Sequence, residues 1–165
     1  GFKHLIDDQS KHFDLILIEC FHPIMYALAG RFNAPVIGMS ALGLMEVYYT
    51  VIGNPTHPVL YPDVLWGFSN TELSMWNKVK SVLWSLWSRY YDDIAVPRAH
   101  NIAKKYFGEG LSYLGDLRKG QSMVFLNVNP VLYPLRPNVP ALVEMGQMHI
   151  KPVEALPEVG ITNTT

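Results

Sequence analysis

The chain has 165 residues, a formal net charge of −1 and a single cysteine. This length suits one domain with a substantial core. Only 16% of the residues are charged and 49% are hydrophobic, so we expect a second domain or a membrane to cover part of the surface. The 13 Lys and Arg residues do not cluster beyond pairs, which argues against nucleic acid as a partner. No uncharged apolar run reaches the roughly 18 residues of a membrane span.

The first predicted element is a strand over residues 13–19, with the sequence FDLILIE. A continuous apolar run predicts burial on both faces, as in a parallel α/β sheet, where ligands bind beyond the carboxyl ends of the strands. Glu19 therefore stands where chemistry is expected. The alternative is that Glu19 caps or salt-bridges the following helix, because acids near a helix N-terminus interact favourably with its dipole. Cys20 is expected to be an inert core thiol.

A helix is predicted next, with Pro23 in its first turn and its end near residues 30–33. The short apolar strand predicted over residues 36–40 then completes a βαβ unit. Residues 53–69 are predicted to be irregular. Irregular segments of this length are often functional in a compact domain.

The stretch from Thr71 to about Tyr106 predicts a helix that Pro97 breaks or kinks, because apolar residues recur every three or four positions. The favoured interpretation is a core-facing helix. The alternative is a helix that lines an apolar ligand cavity or rests on a membrane surface, where tryptophan is also common. The periodic positions are Leu73, Trp76, Val79, Leu83, Leu86, Trp87, Tyr90 and Ile94.

The remaining elements are short. Residues 108–120 are predicted to form loops and a turn, and residues 122–127 and 141–146 are predicted to form two strands joined by a proline-rich connection. Several strands flanked by helix or loop, without a repeat period, predict an α/β fold with a doubly wound, Rossmann-like parallel sheet.

Six segments, taken in order, carry a resemblance: FDLILIE at 13–19, APVI at 34–37, GNP at 53–55, SMVFLN at 122–127, RPNVP at 136–140 and VEMGQMHI at 143–150. Together they resemble the N-terminal domain of animal UDP-glycosyltransferases, the family of the UDP-glucuronosyltransferases and the insect UDP-glucosyltransferases. The insect members of the family match these segments more closely. The resemblance extends over about residues 10–157.

The resemblance implies part of the acceptor-binding N-terminal half of a GT-B enzyme over residues 1–157. A truncated interdomain linker or divergent tail is expected over residues 158–165. The implied reaction is an inverting transfer of a hexose or glucuronate to a hydroxyl of a small lipophilic acceptor, as in detoxification. No cofactor and no metal are implied, because the UDP-sugar is a co-substrate bound mainly by a C-terminal domain that we expect to lie outside this chain.

The resemblance also implies where the full-length protein resides. We expect it in the lumen of the endoplasmic reticulum, tethered to the membrane by a C-terminal helix outside this chain. Asn163-Thr164-Thr165 fits a glycosylation sequon, which agrees with a lumenal location. A homo-oligomer is compatible with the resemblance.

In this family a histidine removes the proton of the acceptor hydroxyl, and an aspartate orients the histidine and stabilises its charge. Glu19 stands at the position of that aspartate, and its additional methylene adds about 1.5 Å of reach. The histidine belongs to a strand upstream of this chain, so the base is expected to be absent here. Placement near the strand end, in the region of residues 39–49 and on the tryptophan-rich helix assigns acceptor binding to Phe21, His22, Met45, Trp84 and Trp87.

Two other functions remain open. The chain can be a non-catalytic acceptor-binding or interaction module, because one Rossmann-like half supplies neither the base nor the donor site. It can also be a complete small α/β enzyme that uses Glu19 and His22, although the sequence lacks the glycine-rich nucleotide loop that this function requires.

Overall fold

The computed structural model describes residues 10–66, 73–129 and 135–146, together with positions 6, 8 and 131. Their centre is a four-stranded parallel sheet with the order β1-β2-β3-β4. The strands are β1 (Ile16–Glu19), β2 (Val36–Ser40), β3 (Met123–Leu126) and β4 (Leu142–Glu144). The predicted α/β class with a Rossmann-like parallel sheet is confirmed. The predicted tail over residues 158–165 and its sequon lie outside the described residues.

The helices lie between β1 and β2 and between β2 and β3. A 3-10 turn, Pro23–Tyr26, continues into α1 (Ala27–Phe32), which ends at Asn33 in the left-handed conformation with φ 49°. The predicted helix after Pro23 is therefore confirmed. Between β2 and β3 lie α2 (Glu46–Val51), a 3-10 turn (Val64–Trp66), α3 (Met75–Phe107) and α4 (Leu114–Lys119).

The loop prediction for residues 108–120 is wrong where α4 forms. This segment contains four glycines, and a helix of six residues is too short to show a periodic pattern. The helix is stabilised by tertiary packing, because Leu114 is fully buried against the core that α1 and the C-terminal half of α3 share.

Only one face of the sheet is buried by the described residues. The strand register places Ile18, Val124 and Leu142 on the same face, and every strand residue of the two core clusters belongs to that face. On the opposite face Leu17 is 56% exposed, whereas Ile18 is 3% exposed. The prediction that the first strand is buried on both faces is therefore wrong. An apolar run indicates which residues can be buried, but burial on the second side requires a layer that the described residues do not form.

Helix α3 continues without interruption through Pro97. Proline lacks the N–H that would bond to the preceding turn. Val96, just before it, and Ala103, further along the helix, are nevertheless buried in the core. The predicted break at Pro97 is therefore wrong, and the alternative of a kink there stays a prediction. At the other end, Ser74 caps the helix by accepting a hydrogen bond from the Asn77 N–H at 3.3 Å.

The N-terminal half of α3 turns its apolar residues outward. Its buried positions are the serines Ser81, Ser85 and Ser88, whereas Trp76 and Leu83 are 65% and 59% exposed. The core-facing prediction is wrong for this half of the helix. Periodicity locates an apolar stripe but does not say what the stripe faces. None of the helices within the described residues is both long and apolar enough to cross a membrane.

Neighbouring residues of β1 provide a test of the one-sided burial. Replacing Ile18 with alanine should lower the free energy of unfolding by about 3 kcal/mol, since a buried side chain leaves a cavity. The change Leu17→Ala should cost about 0.5 kcal/mol or less, because that side chain is largely exposed. Urea denaturation followed by circular dichroism measures both values. Equal losses would contradict the open face.

Candidate active-site edge

The carboxyl ends of the four parallel strands meet at one edge of the sheet. Register places Glu19 of β1 beside Met39 of β2, which in turn lies beside Phe125 of β3. These three side chains therefore share the open face. The predicted position of Glu19, at the end of a strand and at the edge where ligands bind in α/β sheets, agrees with the structure.

Glu19 is exposed, and its carboxylate folds toward the backbone of the turn that follows β1. Oε2 accepts a hydrogen bond from the backbone N–H of Phe21 at 3.1 Å. Glu19 forms no ion pair with any of the described residues, so the predicted alternative of a salt bridge to the following helix is not seen there. One carboxylate oxygen is thus positioned by the backbone while the side chain remains accessible to a partner.

Phe21 is fixed by Tyr48 from helix α2. The Tyr48 hydroxyl donates a hydrogen bond to the Phe21 carbonyl at 2.5 Å, and the two rings pack edge to face with centroids 5.3 Å apart. Burial raises the pKa of Tyr48 to about 12, so the phenol remains a neutral donor near neutral pH. Met45 lies beside this pair, where its carbonyl accepts from the Tyr48 N–H at 3.0 Å and its side chain packs on the same core cluster.

A buried ion pair packs against the ring of Tyr48. Arg118 of α4 donates two hydrogen bonds to the carboxylate of Asp92 on α3, at 2.9 and 2.6 Å, and its guanidinium lies 5.2 Å from the ring centroid of Tyr48. Burial lowers the pKa of Arg118, but the hydrogen bonds and charge of Asp92, with smaller contributions from Tyr48 and Tyr26, raise it overall. The arginine is thus held as a cation inside the protein.

Sequence reasoning did not find Tyr48, Asp92 or Arg118. Arg118 has the appearance of an ordinary basic residue in the last turn of a helix, where cations are favoured by the dipole. Its partner lies 26 residues earlier in the chain, so no local pattern marks the pair.

Cys20 follows Glu19 directly and is 2% exposed. Burial, with a smaller contribution from the Glu19 carboxylate, raises the pKa of its thiol from 9 to about 12. The predicted core position of Cys20 is confirmed, and its low reactivity stays a prediction.

His22 is exposed and precedes the first 3-10 turn. Its carbonyl accepts a hydrogen bond from the Met25 N–H at 3.0 Å, but its side chain makes no capping hydrogen bond. It therefore lies three residues from Glu19 with an imidazole that the local backbone does not use.

Trp84 and Trp87 form a separate aromatic group on α3. Trp84 packs edge to face with Trp66 at 5.8 Å between centroids and lies 5.0 Å from Trp87, which stacks on Tyr91 at 5.4 Å. Their ring partners thus come from α3 and the segment before it, whereas Phe21 and Met45 are grouped around Tyr48.

Two of the sequence segments that carry the resemblance are joined by one buried amide. The side chain of Asn54 donates to the Pro137 carbonyl at 3.0 Å and accepts from the Val139 N–H at 2.8 Å. Arg136 lies beside this junction, with its guanidinium 4.1 Å from the ring centroid of Tyr49. GNP and RPNVP are therefore in direct contact, since Asn54 bonds to the backbone on both sides of Asn138 in the loop that leads into β4.

A cavity of about 320 Å³ opens at the other edge of the sheet. It is lined by residues of α1, α4 and the start of β2, among them Val36 and Asp116. Val36 is the first residue of its strand, whereas Glu19 is the last of its own. This cavity is therefore not part of the strand-end site.

Comparison with curated proteins finds similarity to UDP-glycosyltransferases, UDP-glucosyltransferases and UDP-glucuronosyltransferases. The ecdysteroid UDP-glucosyltransferase of Spodoptera littoralis nuclear polyhedrosis virus is 34% identical over 92% of the chain and 32% of the viral protein. UDP-glycosyltransferase UGT4 of Dactylopius coccus is 24% identical over 94% of the chain and 32% of its own length. UDP-glucuronosyltransferase 3A1 of Bos taurus is 25% identical over 91% of the chain and 28% of its own length.

These relatives are UDP-glycosyltransferases and UDP-glucuronosyltransferases, so the resemblance predicted from the motifs is confirmed. The chain spans about a third of the length of the curated relatives it matches. No protein-family model matches the chain, and no solved structure matches it significantly.

The Arg118–Asp92 pair can be tested by breaking and then removing it. The change Arg118→Met should lower the free energy of unfolding by about 3 kcal/mol, because it leaves a buried carboxylate without its partner. The double change Asp92→Leu with Arg118→Met should recover much of that loss. Lys119→Met is the control, since it removes an exposed charge from the adjacent position. Equal destabilisation by the Arg118 and Lys119 variants in urea denaturation would contradict a structural role for the pair.

Thiol labelling tests the burial of Cys20. At pH 9, the folded chain should react with iodoacetamide at least about a hundredfold more slowly than the urea-unfolded chain, because the raised pKa keeps the thiol protonated and burial blocks access. Labelling should rise with pH, but at higher pH in the folded chain than in the unfolded one. Mass spectrometry after timed quenching measures both rates, and equal rates would show an accessible thiol.

Proposed function

We propose that this chain is the acceptor-binding half of a GT-B UDP-glycosyltransferase. The enzyme transfers a hexose or glucuronate from a UDP-sugar to a hydroxyl of a small lipophilic acceptor, with inversion at the anomeric carbon. The homology to UDP-glucosyltransferases and UDP-glucuronosyltransferases supports the general activity. The dyad, the acceptor class and the stereochemistry are parts of the proposal.

The position of Glu19 carries the proposal. It is the last residue of β1, the outermost strand on its side of the described sheet. Its carboxylate is exposed and is oriented by the Phe21 N–H. A further strand pairing with the free edge of β1 would bring its own carboxyl end beside this carboxylate, since parallel neighbours end at the same edge. A histidine at that end can therefore hydrogen-bond to Glu19.

The reaction needs this pair for proton transfer. The histidine accepts the proton of the acceptor hydroxyl as the oxygen attacks the anomeric carbon, and the bond from that carbon to the UDP oxygen breaks. Glu19 accepts a hydrogen bond from the other ring N–H of the histidine, which fixes the tautomer and stabilises the imidazolium that forms. UDP leaves with the electron pair of the broken bond.

The longer side chain of Glu19 fits this role through its conformation. Glutamate reaches about 1.5 Å further than aspartate when it is extended. The hydrogen bond to Phe21 two residues ahead bends the carboxylate back toward the backbone, which shortens that reach.

Phe21, His22 and Met45 are the proposed acceptor contacts nearest to Glu19. Phe21 and Met45 pack around Tyr48 and present apolar surface, while His22 is exposed beside them. An apolar lining with few polar groups suits a lipophilic alcohol. Trp84 and Trp87, the other two proposed acceptor contacts, belong to the separate aromatic group on α3. The UDP-sugar would be bound mainly by a C-terminal domain, and a C-terminal helix would tether the enzyme in the lumen of the endoplasmic reticulum.

Substitution of Glu19 in the full-length polypeptide that carries this chain tests the proposal. With UDP-glucose or UDP-glucuronate and a panel of lipophilic alcohols, Glu19→Gln should lower kcat by about 10²–10⁴-fold, because the histidine loses its charged orienting partner. The KM for the acceptor should change little. Glu19→Asp should retain most of the activity.

Glu144→Gln is the matched control. Glu144 is also an acid at the end of an edge strand, but its carboxylate accepts a hydrogen bond from the Asn138 side chain at 2.7 Å. It should leave kcat within a few-fold of the parent enzyme. Equal activity of Glu19→Gln and the parent enzyme would remove Glu19 from the mechanism. Saturable binding of UDP-glucose to the 165-residue chain alone, measured by calorimetry, would contradict the assignment of the donor site to another domain.

A further inference from the structure

The N-terminal half of α3 presents a continuous apolar surface. Its central row is Val79, Leu83, Leu86 and Tyr90, which recur at helical spacing, and Trp76 and Trp87 widen it on one side. Tyr90 is 66% exposed and Trp87 is 51% exposed. We call these six residues the α3 apolar face. With a rise of about 1.5 Å per residue, the face is roughly 20–25 Å long.

Contacts on the opposite side of the helix fix this orientation. The Ser81 hydroxyl donates to the Pro58 carbonyl. Arg89 forms a 2.8 Å ion pair with the buried carboxylate of Glu46 on α2. Because small and polar side chains anchor the helix to the protein, rotation cannot bury the α3 apolar face without breaking these contacts.

Basic side chains border the face, and no acidic residue lies between positions 73 and 91. Lys78 and Lys80 flank Val79, the first residue of the central row, and project on opposite sides of it, since each residue turns the helix by about 100°. The ammonium of Lys80 lies 5.5 Å from the ring centroid of Trp76. Neither lysine forms an ion pair with a described residue. The apolar stretch ends where Asp92 and Asp93 begin.

We propose that the α3 apolar face docks onto an anionic lipid surface, with the helix lying in the plane of the membrane. Tryptophan and tyrosine favour the boundary between headgroups and acyl chains, where their rings are apolar and their polar atoms remain hydrated. The flanking lysines would contact lipid phosphates and carboxylates. This inference is independent of the proposed sugar transfer.

The charges favour a lipid surface over a second copy of the chain. In a symmetric pair each face meets itself: parallel helices would bring the lysines of the two copies together, and antiparallel helices would bring them near Asp93 at one end only. The stretch from 73 to 91 offers no carboxylate to neutralise them. An anionic bilayer supplies the complementary charge along the whole face.

Vesicle binding tests the proposal directly. The chain should sediment with phosphatidylcholine vesicles that contain phosphatidylserine, and added salt should weaken binding. Lys78→Gln with Lys80→Gln should lower the partition coefficient about 20-fold, at roughly fivefold for each lysine. Leu83→Ser with Trp87→Ser should lower it at least about tenfold, through lost apolar burial. Circular dichroism should be unchanged, because Leu83 and Trp87 are exposed and neither lysine forms an ion pair with a described residue.

Matched variants on the same helix serve as controls. Lys104→Gln with Lys105→Gln changes the net charge equally, and Ile102→Ser removes an exposed apolar residue beyond the face. Both should bind like the parent chain. Loss of binding in these controls as large as in the test variants would overturn the proposal, as would the absence of binding to anionic vesicles. A dimer in sedimentation equilibrium that Leu83→Ser dissociates, without vesicle binding, would assign the face to a second copy instead.

Discussion

The buried ion pair between Arg118 and Asp92 holds the candidate site in place. It joins α4 to α3 and sets a fixed cation beneath the ring of Tyr48. Tyr48 in turn binds the Phe21 carbonyl, and the Phe21 N–H binds the carboxylate of Glu19. The strand-end acid is therefore connected to three helices through a chain of direct contacts, and its geometry depends on residues that are distant in sequence. A buried charge pair of this kind is costly to break, which favours a single arrangement of the turn.

Local sequence predicted the elements whose signals are local. The strand predicted over residues 36–40 matches β2, because an apolar run followed directly after Pro35 and led into Ser40. The helix after Pro23 and the strand-end position of Glu19 were predicted for the same reason. The ion pair was not predictable, since 26 residues separate its partners and each side chain is unremarkable where it stands. Helix α4 was missed because its stability comes from burial of Leu114, not from propensity.

The errors in the burial predictions share one cause. Apolar periodicity identified a stripe on α3 and an apolar run in β1, and both are present. What lies against an apolar surface is a property of the neighbouring elements, however, and the pattern contains no information about them. In α3 the serines allow the helix to approach the segment before it, so the small side turns inward and the aromatic side outward. In β1 the alternation of buried and exposed residues follows from helices that pack on one face only.

The outer edge of β1 also bears on aggregation. An unpaired strand offers free N–H and C=O groups to any extended peptide, and proteins limit this by keeping edge strands short and by placing charges on them. β1 is four residues long and carries a carboxylate at its last position. In the absence of the further strand proposed above, the charge at the last position of this short edge disfavours pairing with another chain, and its loss would favour such pairing.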